Sequence, residues 1–483
     1  MSWLNEVLEW GRGLSPCKVD KRWVLYATIR NSPGTDDAKW SNGVHGVRRE
    51  ELLEAIWSAL ERAYEFLLAQ GRKPLAADIP PVQVYVFAVD DPRNGCGNPL
   101  TTQAVHIKPD GAGQALRFGT VIMLPSRSSE PQWYVEKGQT LAAVVHELSH
   151  SFNLEILPFL KYHATKHESP EAIKLRWEWI DSWRWLDEGM AVAAEASFRE
   201  QERQKTNGLP ITNDWLRYAL DWVDRPERSL DDPQHDYQAA FFVRYLERLM
   251  GGPKFLNEVW NLSECVWSDY ASKDCSALTM MDQYLHGLTP ALVFCSATEP
   301  DVFASGYCLD SYFLNDPDSK AYEPEVFARF KERAITRTWR MKHKTKWPDG
   351  KTEHYSLPGL ACRYFRFMPM KEVRRLVVRV LPGPGGAAGG FCKLKAEVVF
   401  AFARPGNSGH CRQRPDGFSL RQTLVTLVGS GELACEIPAF STDACDHAVL
   451  VVTNCDYASP PSSHLPPTGY RQSAEFCVAA RLM

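Results

Sequence analysis

The chain has 483 residues, 44% hydrophobic and 24% charged, which is the balance of a globular protein of several domains and excludes wholesale disorder. Lys and Arg number 55 against 59 Asp and Glu, a formal net charge of −4, so no basic field exists to attract nucleic acid or an anionic membrane. No apolar run approaches the ~20 residues of a membrane helix, and the opening MSWLNEVLEWGRG lacks the basic and apolar regions of a secretory signal.

Between Val47 and Gln70, apolar residues recur at Leu52, Leu53, Ile56, Trp57, Leu60, Ala63, Tyr64, Leu67 and Leu68. That 3.6-residue period predicts an amphipathic helix closed by Gly71. β-rich runs follow at 82–89, 104–107 and 120–124, the last with the character of an exposed edge strand that could pair with an extended peptide. A second helix is expected over 139–152, with Leu141, Val144, Val145, Leu148 and Phe152 facing the core. Residues 1–157 therefore read as a mixed α/β unit.

From 158 to 345 the pattern is helical. Ser169-Pro170-Glu171 has the form of a helix start, with serine as cap and proline in the first turn. Further helices are expected over 185–201, 237–250, 252–260 and 323–341. Residues 352–483 change to seven short β runs separated by Pro and Gly, which predict a β-sandwich. The glycine-rich LPGPGGAAGGF at 381–391 lacks the ending of a phosphate loop and reads as a hairpin connection.

There are 13 cysteines, 11 of them from Cys265 onward, and no C-x-x-C pair to suggest a zinc ribbon or thioredoxin-like site. Their clustering suits an exported, disulfide-bonded protein. The absent signal favours reduced thiols in the cytoplasm, the default compartment, with secretion left open.

His146-Glu147-Leu148-Ser149-His150 is an H-E-x-x-H sequence within the second predicted helix. Residues four apart lie one turn above each other, so both imidazoles reach one metal. Glu147 is turned about 100° round the axis, where its carboxylate can take a proton from water at the metal's open position. Two imidazoles and a carboxylate suit a catalytic Zn²⁺. Downstream stand Leu186-Asp187-Glu188-Gly189-Met190-Ala191 and, two turns on, Glu195, readable as a third ligand or as a partner of a metal-bound histidine. Asp187 reads as a carboxylate opening a helix. His235 reads as a loop histidine or an oxyanion contact. His163 and His167, without a companion glutamate, read as surface residues, and Trp177, Trp179, Trp183 and Trp185 as packed core.

Together, His146-Glu147-Leu148-Ser149-His150 and Leu186-Asp187-Glu188-Gly189-Met190-Ala191 resemble the gluzincin metallopeptidases, the thermolysin-like superfamily, and especially zinc aminopeptidases of the aminopeptidase N type. The resemblance implies Glu188 as third zinc ligand. Tyr237-Gln238-Ala239-Ala240-Phe241, its apolar run and Gly251-Gly252-Pro253 resemble a further stretch of that family, which implies that Tyr237 donates to the tetrahedral intermediate. Two departures stand out. Thirty-seven residues separate His150 from Glu188, about twice the family spacing, which implies an inserted helix. The family's G-x-M-E-N strand, which grips a free substrate N-terminus, is replaced by Phe118-Gly119-Thr120-Val121-Ile122-Met123-Leu124, which points to an endopeptidase. A metzincin is excluded, because Asn153 and Ile156 stand where its last Gly and His belong.

The expected architecture is an α+β zincin-like catalytic domain, a mixed sheet (1–157) plus a helical lobe (158–345) with the active site between them, followed by an all-β sandwich (352–483). The expected chemistry is zinc-dependent hydrolysis of a peptide or protein substrate. The alternatives are a zinc hydrolase of a non-peptide substrate, or a binding protein that contacts a glycan or protein through the sandwich.

Overall fold

The computed structural model describes residues 15–27, 49–74, 81–87, 100–106, 117–125, 139–156, 170–205, 225–232, 236–267, 276–297, 299–308, 335–340, 353–384, 393–403, 411–412, 421–422, 426–428, 432–442, 447–457 and 473–483. The protein is a mixed α/β structure whose chain divides into two compact units. One comprises Met1–Trp177, Leu186–Arg217 and Leu246–Cys275; the other comprises Glu178–Trp185, Tyr218–Tyr245 and Ser276–Met483. The helical segment is thus shared between the two units. Among the described residues, no helix is long and apolar enough to cross a membrane.

The first unit is built on a five-stranded sheet of β1 (Lys18–Val19), β2 (Trp23–Ala27), β3 (Val82–Phe87), β4 (Leu100–His106) and β5 (Arg117–Pro125), in the order β1-β2-β3-β5-β4. β2, β3 and β5 run parallel, whereas β1 and β4 pair antiparallel at the two edges. The run at 120–124 is therefore interior, and among the described residues the edge belongs to β4. Strand alternation places Trp23 and Leu25 with Val82, Val84 and Val86 on one face. That face is covered by α1 (Arg49–Ala69) and α2 (Gln139–Ile156), through Ile56, Leu60, Ala63, Tyr64 and Leu67 of the first and Val144, Val145, Leu148 and Phe152 of the second. The helical period of both sequences is what lets them bury one stripe.

Gly71 ends α1 with φ +89°, a left-handed conformation that only glycine adopts without strain. The amides of Gly71 and Arg72 close back onto the carbonyls of Leu68 and Leu67 at 2.9 and 3.1 Å. This reversal buries Arg72.

α3 (Pro170–Lys205) is one unbroken helix of 36 residues, starting at the expected proline and absorbing the separate segment expected at 185–201. Residues 237–250 are a 3-10 turn, Tyr237–Ala239, followed by α4 (Ala240–Met250). Gly251 and Gly252, both at positive φ, turn the chain into α5 (Lys254–Trp267). α6 (Ala277–His286) begins at Ser276, whose side chain accepts from the Thr279 amide.

The second unit contains two sheets. One has the order β11-β10-β15-β8-β6, with β12 also on β10; the other is β13-β14-β9-β16-β7. Their strands are β6 (Ile335–Arg340), β7 (His354–Leu357), β8 (Ala361–Met368), β9 (Arg374–Pro382), β10 (Leu394–Ala403), β11 (Cys411–Arg412), β12 (Arg421–Gln422), β13 (Thr426–Val428), β14 (Glu432–Phe440), β15 (His447–Asn454) and β16 (Ala474–Leu482). Phe365, Phe367, Ala396, Val398, Leu450 and Val452 of the first sheet share one apolar core with Leu376, Val378, Val380, Ile437, Phe476 and Val478 of the second. Such face-to-face burial makes a sandwich.

Two expectations fail here. Ile335-Thr336-Arg337-Thr338-Trp339-Arg340 is a strand rather than the end of a helix, because its β-branched and aromatic residues suit a strand paired with β8, on which Trp339 stacks against Phe365 and Phe367. The glycine-rich stretch joins no hairpin: β9 pairs with β14 and β16, whereas β10 pairs with β15 in the other sheet, so the connection crosses between sheets. Phe365 is fully buried among core residues of both sheets and stacks on Trp339, with Tyr355 and Phe476 edge-on. Phe365→Ala is expected to destabilise this unit by about 3–5 kcal/mol, read from urea unfolding. A loss below about 1 kcal/mol would show that the two sheets do not rely on this contact.

Candidate metal centre

The apolar stripe of α2 faces the sheet, and the rest of the helix carries His146, Glu147 and His150, all buried despite their polarity. α3 contributes Glu188. The three candidate ligand atoms form a small triangle. His146 Nε2 lies 3.2 Å from His150 Nε2, and Glu188 Oε2 lies 3.5 and 3.4 Å from the two nitrogens. An ion at about 2.0–2.1 Å from each atom of a tetrahedral set needs spacings of about 3.3–3.4 Å between them. Among the described residues this is the group of His, Cys, Asp and Glu whose ligand atoms converge closely enough to hold a metal ion.

The far sides of both imidazoles are held by carboxylates. His150 Nδ1 donates to Asp187 Oδ2 at 2.9 Å, and His146 Nδ1 faces Glu195 Oε2 at 3.5 Å. With Nδ1 protonated toward a carboxylate, each ring turns the Nε2 lone pair inward. Glu188 Oε2 is buried and its nearest polar partners are the two imidazole nitrogens, at the long distances of 3.5 and 3.4 Å. The triangle thus favours positive charge, which either protons on the imidazoles or a metal ion can supply. The donor set fits a divalent metal bound by two imidazoles and one carboxylate.

A further layer fixes the carboxylates. Asp187 Oδ1 accepts from Asn153 Nδ2 at 2.6 Å, and Asn153 Oδ1 accepts from Arg72 Nη1 at 2.7 Å. Arg72 also donates to Asn257 Oδ1 at 3.2 Å, and Asn257 Nδ2 donates to the Gly71 carbonyl at 2.6 Å. Glu195 pairs with Arg199, one turn along α3. The chain from His150 through Asp187 and Asn153 to Arg72 is continuous, buried at all but the half-buried Asp187, so it orients the imidazole against a fixed charge.

The electrostatics follow from this packing. Burial lowers the His146 pKa, but the bonds to Glu188 and Glu195 outweigh it and raise the ring to about 9. His150 is likewise opposed by burial yet lifted well above the usual range by Asp187 and Glu188. Burial pushes Glu188 up, but the adjacent rings of His150 and His146 win and hold it far below an ordinary carboxylate. Glu195 is also raised by burial, and contact with His146 and Arg199 brings it below its usual value. Burial lowers Arg72 to about 10 against the attraction of Glu247 and Asp187, which keeps it cationic at neutral pH.

Of the residues singled out in the sequence, His146, Glu147, His150, Glu188 and Glu195 come together in the first unit. Glu195 stands behind His146, as a partner rather than a member of the ligand triangle. Asp187 lies in the interior of α3, so a helix-opening role is wrong: its partner is His150. Tyr237 belongs to the second unit, with an exposed side chain at the start of the 3-10 turn. Trp183 and Trp185 are buried, as packed core requires; the side chains of Trp177 and Trp179, and His163, His167 and His235 as a whole, lie outside the described residues. Arg72 and Asn257 carry no motif. Asn153 had one signal, a polar residue three positions after His150 on the same helical face.

Below pH about 9 a metal must displace the His146 proton, so affinity is expected to rise with pH between 7 and 9 by about tenfold per unit for each proton displaced. Asp187→Ala is expected to weaken binding about 10–100-fold at fixed pH. Competition titration with a chromophoric chelator checks both, and pH-independent binding would mean that His146 is not a ligand.

No protein-family model matches the chain, and no curated protein does. Among solved structures the chain is similar to PliG of Aeromonas hydrophila, a periplasmic lysozyme inhibitor of g-type lysozyme, at 11% identity and a TM-score of 0.17, over 30% of this chain and 96% of that one. So slight a likeness bears on neither fold nor function.

Proposed function

We propose that the protein is a zinc-dependent metallopeptidase of gluzincin type with a zincin-like catalytic unit, acting on internal peptide bonds. The observation that carries this reading is the buried triangle of His146, His150 and Glu188, with Glu147 next to the first ligand on the same helix. Two imidazoles and a carboxylate are a catalytic donor set that leaves a position for water and substrate. A bound zinc ion supplies Lewis-acid polarisation of the water and of the peptide carbonyl.

Glu147 is the base and then the acid. It is buried beside His146, and its negative charge acts on that ring. Its carboxylate takes the proton from the attacking water and delivers it to the leaving amine. Asp187 and Glu195 hold the imidazoles in the tautomer that the reaction needs. β4 supports the peptide reading, because it ends the sheet among the described residues and its outer backbone groups can pair with an extended chain. Tyr237 enters through the sequence resemblance, as donor to the oxyanion.

Glu147→Gln is expected to retain metal and lose about 10²–10⁴-fold in turnover, measured on a proteome-derived peptide library by mass spectrometry alongside metal analysis. Cuts that persist in the variant would remove Glu147 from the chemistry. Zinc-loaded wild type that cleaves nothing would overturn the peptidase reading. For Tyr237→Phe the expectation is a kcat about 10²-fold lower with KM little changed; a pure KM effect would take Tyr237 out of the transition state.

A further inference from the structure

Away from the metal centre, the second unit buries four cysteines in two pairs. Cys295 and Cys308 bracket the segment that follows α6 and ends in the π-helical turn Phe303–Cys308. Cys362 lies on β8, and Cys455 directly follows β15. The thiols of Cys295 and Cys455 are in hydrogen-bonding contact, and so are those of Cys308 and Cys362. Tyr364 locks the second pair: its hydroxyl takes the Cys362 thiol hydrogen bond at 3.3 Å and donates to the Cys308 carbonyl at 2.7 Å.

The segment is fastened to the sandwich by other means as well. Lys395 on β10 donates to the carbonyls of Ser296 and Glu299 and to Asp301 Oδ2, and Phe294 packs edge-on to Tyr457. The amides of Val302 and Phe303 close onto the carbonyls of Val293 and Phe294 at 2.9 Å, which holds the segment as a fold of its own. These contacts bring each thiol of the segment beside one thiol of the sheet.

A four-thiolate metal site is the competing arrangement, and the geometry excludes it. Tetrahedral sulfur ligands at about 2.3 Å from an ion lie about 3.8 Å apart. Among the described residues, no group of three or more cysteines has its sulfurs within 4.8 Å of one another. The thiols meet two by two.

We propose that Cys295–Cys455 and Cys308–Cys362 are disulfide sites, oxidised by a low-molecular-weight disulfide such as oxidised glutathione, and that they tie the segment 292–308 covalently to β8 and β15. In each pair one thiolate attacks the reagent's S–S bond and expels a thiolate, leaving a mixed disulfide. The second cysteine attacks the protein sulfur of that intermediate and expels the other reagent thiolate. The pair gives up two electrons and two protons, and the reagent leaves as two thiols. Burial pushes the Cys295 and Cys308 thiols well above their usual range, so attack in the native state is slow and the bonds form as the chain folds. Cys435, buried on β14, and Cys477, whose sulfur lies 3.0 Å from His354 Nδ1, fall outside both pairs.

The test uses the full chain, produced in a secretory compartment and, in parallel, equilibrated with oxidised glutathione in subdenaturing urea. Remaining thiols are blocked with N-ethylmaleimide in denaturant, and the protein is digested without reduction and mapped by mass spectrometry. The expected result is two linked peptide pairs, 295 with 455 and 308 with 362, each about 2 Da lighter than its reduced parts. Both should survive in Cys435→Ser. The oxidised protein should melt about 5 °C or more above the reduced one. Labelling of all four cysteines in both preparations, or linkage in any other pairing, overturns the proposal. The wild-type map decides this even if Cys295→Ser or Cys362→Ser fails to fold.

Discussion

Two inward-facing imidazole nitrogens and one carboxylate oxygen, within 3.5 Å of one another, are the constraint on which the first unit depends. Brought together without a cation, such atoms repel and forfeit the hydrogen bonds they had in water. The unit sustains them because its other polar groups are arranged around that cost. Asp187 and Glu195 fix the outward nitrogens, and Arg72 and Arg199 neutralise those carboxylates in turn. The result is a site prepared for positive charge, and a metal ion placed there would be held in one position by residues that are themselves fixed.

That arrangement reaches back to backbone geometry. Arg72 is a buried cation that touches α2 through Asn153 and Ser149, and α5 through Asn257. It takes this place because Gly71 turns the chain at the end of α1, a conformation closed to residues with a Cβ unless they accept strain. A single positive-φ glycine thus sets the position of the charge that anchors His150. Trp260 of α5 donates to the sulfur of Met190 on α3, so the same helix braces both ends of the network.

The second unit solves a different problem. Its two sheets bury a core of alternating residues that needs no polar partners, whereas the segment at 292–308 brings carbonyls and a carboxylate against the other face of β10. Lys395 meets three of these oxygens at once. Asp301 shows the balance: burial raises its pKa, while Lys395 and the amides of Ala304 and Ser305 pull it down. A buried ion pair of this kind fixes position more than it adds net stability; ring contacts add apolar burial, Phe294 against Tyr457 after β15, and Phe294, Phe303 and Tyr307 against Phe242 of α4.

Local pattern alone determined α1, α2 and most strands of the sandwich, because periods of 3.6 and 2 are written in successive residues. It also determined His146, Glu147 and His150 as a unit, since one helical turn places them. The tertiary structure decided the rest. Asp187 and Glu195 act on different imidazoles, a distinction that depends on how α3 lies against α2. Residues 335–340 became a strand because β8 was there to pair with them, and 120–124 became interior because β4 took the edge. Arg72, Asn153 and Asn257 meet from three separate helical regions, and no local period encodes a contact between residues as far apart as 72 and 257. The thiol pairs are of the same kind: four cysteines far apart in the chain, matched two by two only when the sheets and the segment after α6 are in place.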